Sequence, residues 1–222
     1  MPSQIIPYTI KPTTLIPNSP KPLLLYKNCF IRDGKVDAAL AFSTFQHNGW
    51  DAQWVTTYGH HQRSHYHPAT HEVMVVLSGP GRIRWGTADL GDDPEKHTYG
   101  TAYEDGALFT DVEAGDLFVI PAGVAHKSYD RNSLISDAQC LTGGDAHRIE
   151  AEDPAAFVGK LEVSGFTMMG AYPRGMTWGW SEGGADAAGF EAVWRVKDAD
   201  LDPVLGARGG IDAYWNIRSS VL

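Results

Sequence analysis

Three histidines and one glutamate are the residues of this chain whose types and spacing could do chemistry. They lie in two short stretches, GHHQRSHYHPATHEVMVVLSG over residues 59–79 and GDLFVIPAGVAH over residues 115–126. His65, His67, Glu72 and His126 together offer three neutral imidazoles and one carboxylate, a donor set that suits a divalent transition metal. Iron, manganese, nickel, zinc and copper all accept such ligands, so ligand type alone leaves the metal open, with iron or zinc foremost. One ion bound this way carries a net charge of +1 and keeps one or two coordination positions for water, oxygen or substrate. It could polarise a carbonyl, acidify a bound water or, if redox-active, bind dioxygen.

Such a site needs elements that bring the four side chains together. Residues i and i+2 of a strand share a face, so His65 and His67 project together and Tyr66 points away. Glu72 opens the run EVMVVL, rich in β-branched residues, which reads as a returning strand ended by the turn Ser78-Gly79-Pro80-Gly81. Gly115-Asp116 opens another strand, Pro121-Ala122-Gly123 turns it, and His126 begins the next. Packing that hairpin on the first would set His126 beside the other three.

The spacing Gly59-x5-His65-x-His67-x4-Glu72-x6-Gly79, followed by Gly115-x5-Pro121-x-Gly123-x2-His126, resembles the two motifs of the cupin superfamily. Outside the motifs the chain looks like the YjlB-type cupins, through Pro17-Asn18-Ser19-Pro20 with Leu23-Leu24-Leu25-Tyr26, Asn48-Gly49-Trp50, Gly170-Ala171-Tyr172-Pro173 and Asp202-Pro203-Val204. Asp130 stands where the second motif usually ends in Asn. The resemblance implies a mainly β fold, a single cupin (double-stranded β-helix, or jelly-roll) barrel with an N-terminal extended arm and a few short helices. It also implies one divalent metal held by His65, His67, Glu72 and His126. His71 adjoins Glu72, and neighbouring strand positions face opposite ways, so both cannot be ligands without a bulge. The six residues from Glu72 to Gly79 favour Glu72, which leaves His71 outside the barrel or at its rim.

Strand alternation points Met74 and Val76 inward after Glu72, and Ser128 inward after His126, as candidate substrate contacts. In Arg82-Ile83-Arg84-Trp85 one parity must face the interior. The apolar choice, Ile83 and Trp85, avoids burying an arginine without an anion. Arg174, Trp178 and Trp180 follow a strand end and are candidates for the mouth, although aromatics there often only pack. His60, His61, His97 and His147 lack partner spacing and read as surface residues.

The rest of the chain bounds the setting. At 222 residues it reads as one domain, with a barrel core at about 51–172, an arm and helix over 1–50, and a covering segment over 173–222. Residues 1–22 read as an extended arm, 23–31 and 163–172 as strands, and 134–141 as another. Asp37–His47, Asp153–Leu161 and Gly189–Val196 read as helices. The acidic run 87–106 reads as a solvated loop. A formal charge of −9 argues against nucleic acid, and no apolar run reaches membrane-spanning length. Two cysteines and no evident leader point to reduced thiols in the cytoplasm. Exposed sheet edges favour a homodimer.

Two function classes follow. The first is a metal-dependent enzyme acting on a small organic molecule. The resemblance extends that class over dioxygenases, decarboxylases and isomerases, and the ligand set, shared with cysteine- and aromatic-cleaving cupin dioxygenases, points first to oxygen chemistry. The second is a metal-containing protein that binds, senses or stores a small ligand without turnover.

Overall fold

The computed structural model describes residues 2–215. Along the chain run β1 (Gln4–Tyr8), β2 (Leu23–Lys27), β3 (Ile31–Arg32), β4 (Lys35–Val36), α1 (Ala38–His47), β5 (Trp50–Thr57), β6 (Glu72–Ser78), β7 (Pro80–Trp85) and α2 (Pro94–Thr98). There follow β8 (Leu108–Glu113), β9 (Leu117–Ile120), β10 (His126–Tyr129), β11 (Gln139–Cys140), α3 (Pro154–Gly159), β12 (Thr167–Pro173), α4 (Glu191–Trp194) and a π-helical turn at Ile211–Trp215.

Seven strands form one sheet in the order β1-β2-β9-β6-β12-β5-β11, and three form a second in the order β10-β7-β8. All the pairings are antiparallel. The large sheet is covered on both faces, and this is why its central strands read as unbroken apolar runs rather than alternating ones. Leu23, Leu25, Met74, Val76, Phe118 and Met168 face inward and meet Ile83 and Trp85 of the small sheet. The neighbours Leu24, Tyr26, Val73, Val75, Val119 and Met169 face outward, beneath α1, α3 and the C-terminal turn. Helix α1 begins where the side chain of Asp37 accepts the Leu40 N–H at 2.8 Å, and it docks through Ala41, Phe42 and Phe45. It stops at Asn48-Gly49, where φ of +78° suits glycine.

Several expectations need correction. Part of the N-terminal arm is an edge strand, with Gln4–Tyr8 paired to β2. Of residues 134–141 only Gln139–Cys140 is strand. Before it, Asp130 Oδ1 accepts the Asn132 N–H at 2.8 Å and Ser133 Oγ accepts the Ile135 N–H at 3.3 Å, local bonds that hold the backbone in turns. The acidic run is not simply a solvated loop. It contains α2, and Glu104 clamps the arm by accepting from Thr13 Oγ1 at 2.7 Å and the Leu15 N–H at 3.2 Å. Cys29 and Cys140 are both free, the first buried and the second exposed.

Candidate metal centre

His65 precedes β6 in an irregular segment tied to the barrel by a two-way bridge. His65 and His126 exchange backbone N–H···O bonds of 3.1 and 2.8 Å, which brings the two motifs side by side. Glu72 is the first residue of β6 and His126 the first of β10, so both sheets supply a donor. The ligand nitrogens of His65, His67 and His126 all lie within 4.8 Å of one another, and all three residues are buried. Two nitrogens each about 2.1 Å from one ion are at most about 4.2 Å apart, so a small ring rotation closes the set. The Glu72 carboxylate lies beside them, with Oε1 at 3.4 Å from His67 Nε2 and Oε2 at 3.3 Å from His126 Nε2.

The tautomers follow from the hydrogen bonds. Nδ1 of His65 lies 3.0 Å from the Arg63 carbonyl, that of His67 2.7 Å from the Gly179 carbonyl, and that of His126 3.2 Å from the Val124 carbonyl. A carbonyl only accepts, so each Nδ1 carries the proton and donates it. Each Nε2 is thereby left to present a lone pair to the centre, the arrangement found where outer partners orient metal-bound imidazoles. Burial and the neighbouring imidazoles hold His65 well below the usual imidazole range, and burial, though opposed by Glu72, also lowers His126. In His67 burial acts to lower the pKa, but the Glu72 carboxylate outweighs it and raises the group. For Glu72 burial acts upward, and His67, His126 and Tyr172 together hold the carboxyl below its ordinary value.

Tyr172 orients the carboxylate. Its hydroxyl donates to Glu72 Oε1 at 2.5 Å and accepts from Trp54 Nε1 at 2.9 Å, while the buried Oε2 has no hydrogen-bond partner among the described residues. A buried carboxylate oxygen left without a donor, next to inward-facing imidazole lone pairs, fits a cation.

Beside these groups lies a cavity of about 120 Å³, lined by Trp54, Thr56, Tyr58, Gln62, Met74, Ala146, Tyr172, Trp178 and Trp180 as well as the four donors. Trp180 stacks on His65 with centroids 3.6 Å apart, and Trp178 stacks on His147 at 4.3 Å. Among the proposed substrate contacts and mouth residues, Met74, Trp178 and Trp180 line this space. Val76 is buried among the barrel's interior side chains, and Trp85 packs on Phe118 while its indole donates to Thr110. Ser128 contributes its backbone N–H to Gln62, and its buried hydroxyl has no partner among the described residues. Arg174 does not reach the mouth: it follows β12 on the outside, bonded to Asp51 and the Gln46 carbonyl.

The parity argument for β7 holds for Ile83 and Trp85, both fully buried in the interior, but Arg84 is buried too, on the other face. It pairs with Asp89, which also takes Lys127 Nζ at 3.1 Å and the Ser64 N–H at 2.9 Å. His97 is buried beside them rather than exposed, with Nδ1 accepting from Lys127 at 2.5 Å. Burial and the nearby Arg84 push the Lys127 amine down to about 8, against the pull of Asp89. This cluster ties Ser64 and Lys127, the neighbours of two metal-site histidines, to one carboxylate. His71 faces away from the centre: its Nδ1 accepts the Ala122 N–H at 2.9 Å, and its ring packs near Trp215.

Sequence reading missed Trp54, Tyr58, Gln62 and Tyr172 as site residues. The signal available for two of them was the parity of β5, which sends 54, 56 and 58 to one face.

The family model described as "Cupin" matches residues 51–133, which hold all four donors. The chain is 29% identical over 206 residues, 90% of each chain, to the uncharacterized protein YjlB of Bacillus subtilis. Among solved structures it is similar to a point mutant of Bacillus subtilis oxalate decarboxylase (11% identity, TM-score 0.30, covering 73% of this chain and 28% of that one). It is also similar to the formate complex of Lactobacillus farciminis oxalate decarboxylase (11%, TM-score 0.28, 57% and 26%). A third, a Bacillus subtilis oxalate decarboxylase studied for its Mn(II) centres, gives 10%, a TM-score of 0.26, and 73% and 23%. The chain thus spans about a quarter of the length of these structures.

Proposed function

We propose that the chain, which the family model described as "Cupin" matches over residues 51–133, is a cupin that holds one divalent metal ion through His65, His67, Glu72 and His126 and uses it on a small organic molecule bound in the barrel. The observation that carries this reading is the tautomer pattern. Three separate backbone carbonyls take the Nδ1 protons, so three Nε2 lone pairs and the unpartnered Glu72 Oε2 share one small volume. When bound, such an ion supplies Lewis acidity or, if redox-active, a site for dioxygen.

The lining supports an oxidoreductase of the dioxygenase type over an isomerase or a decarboxylase. Proton transfer to or from carbon calls for a side chain with a pKa near the working pH. Apart from the four donors, the titratable groups lining the cavity are Tyr58 and Tyr172, and burial holds both well above the usual phenol range. The same lack favours, as the second reading, a protein that binds its ligand without turnover. The chain's own contribution is then to hold the donors, to exclude water with Trp54, Trp178 and Trp180, and to shape the space. No described helix is long and apolar enough to cross a membrane, and we place the protein in the cytoplasm, as a homodimer.

The test is metal analysis of untagged protein purified without added metal. One equivalent of a transition metal is expected, lost in His126→Ala and kept in His71→Ala. Metal retained in His126→Ala would overturn the ligand set. Oxygen uptake with a metabolite panel would mark the enzyme, and ligand-induced stabilisation without uptake would mark the binding protein.

A further inference from the structure

The cavity wall carries hydrogen-bond donors that the protein itself leaves unused, Tyr58 and Gln62 among them. Tyr58 is only 4% exposed, and its hydroxyl has no hydrogen-bond partner among the described residues. Gln62 accepts the Ser128 N–H through Oε1 at 2.6 Å. A backbone N–H can only donate, so the atom facing Ser128 is the amide oxygen, and the NH₂ end is left with no protein acceptor among the described residues. Both side chains line the cavity beside the metal centre, and apart from the four donors the remaining wall is Trp54, Thr56, Met74, Ala146, Tyr172, Trp178 and Trp180. Neither lysine nor arginine lines it among the described residues.

We propose that this cavity takes a small monoanion with an oxygen pair at one end and an apolar body, of which a monocarboxylate is the simplest form. One oxygen goes to the metal and the other accepts from Tyr58 and Gln62, while the body lies against the indoles. The inference rests on the metal reading above and deepens it. Three neutral imidazoles and one carboxylate leave a divalent ion at +1, so a single negative charge neutralises the centre. A dianion would bring a second charge into an aromatic-walled space with no side-chain cation to meet it, and an unpaired charge away from water is costly. A neutral amide would leave the +1 uncompensated. The space itself is small, equivalent to about four waters at ~30 Å³ each, so the body is a few carbon atoms unless the rim at Trp180 gives way.

The inference is tested on full-length protein loaded with Co(II), with cobalt content measured first and the visible d–d spectrum titrated with butyrate, malonate and butyramide. Butyrate is expected to shift the spectrum with a Kd at least tenfold below those of the dianion and the amide. Gln62→Glu keeps the oxygen that receives Ser128 and replaces the donor end by an acceptor, and Tyr58→Phe removes the other donor. At matched cobalt occupancy each variant should weaken butyrate about tenfold or more. Malonate or butyramide binding as tightly as butyrate, or butyrate affinity unchanged in both variants, overturns the proposal while leaving the metal reading intact. Failure to load one cobalt per chain refutes the metal reading and this proposal with it.

Discussion

Replacing Tyr172 by phenylalanine removes one oxygen atom and separates a structural role from a role at the metal. That oxygen donates to Glu72 Oε1 at 2.5 Å and accepts from Trp54 Nε1 at 2.9 Å, with Tyr172 buried. A hydrogen bond to an ionised acceptor contributes about 1.5–3 kcal/mol, and the stranded indole N–H costs about 1–3 kcal/mol. The metal-free variant should therefore lose about 2.5–6 kcal/mol, a large part of a typical stability of about 5–15 kcal/mol. Metal affinity should fall about 10–100-fold, as for other partners that orient a ligand. Because Tyr172 is one of the groups holding the Glu72 carboxyl down, after His67 and His126, the variant's carboxyl titrates higher, and the affinity deficit should be larger at pH 5 than at pH 8. Urea unfolding of the metal-free protein gives the first quantity, and competition with a chromophoric chelator at the two pH values gives the second. A variant that loses stability as stated but binds metal within twofold of the parent, at both pH values, would refute the claim that Tyr172 acts through a liganding Glu72.

Three further outcomes follow from the same geometry. Asp89→Ala leaves Arg84 and Lys127 buried without a counter-charge and should cost about 3–5 kcal/mol in urea unfolding; a loss under 1 kcal/mol would contradict the cluster's role. A Cβ on Gly170 would collide with the Trp54 indole, so Gly170→Ala should destabilise by about 1–3 kcal/mol and weaken metal binding through the displaced Tyr172 partner; unchanged chelator competition would tell against that coupling. The third outcome concerns pH. His67 is raised in the folded, metal-free chain, so its proton competes with the metal below that raised value, and apparent affinity should decline by about tenfold per pH unit from a point above 6.5. His65 and His126 are lowered: the unfolded chain takes up protons near pH 6.5 that the folded chain refuses, so each contributes a loss of metal-free stability as pH drops below that value. A chelator titration flat between pH 8 and pH 6 would remove His67 from the ligand set.

The convergence of His65, His67, Glu72 and His126 was legible because each lies at a fixed offset from a glycine or proline where the chain must turn, and strand alternation then aims them. The β-rich organisation and helix α1 were legible for a similar reason, since periodicity is local. The cavity was legible only in part: Trp178 and Trp180 could be offered for its mouth from their place after a strand end, but Tyr172 reaches Glu72 from one hundred positions away. Gln62 is positioned by the Ser128 N–H, a pairing that only strand packing creates. Asp89 sits in an acidic run alongside exposed Asp92 and Asp93, and nothing in its neighbours marks it as the buried counter-ion. The parity argument chose the interior face of β7 correctly, but it could not show that the other face is covered too: Asp89 and His97, brought over by residues 87–106, bury Arg84 there.

The most direct test of the account is anomalous diffraction at the metal's absorption edge from a crystal of the metal-loaded protein. The account predicts a single peak about 2.0–2.3 Å from Nε2 of His65, His67 and His126 and from a carboxylate oxygen of Glu72. A peak elsewhere in the molecule, or none at that point in protein shown to carry metal, would contradict it.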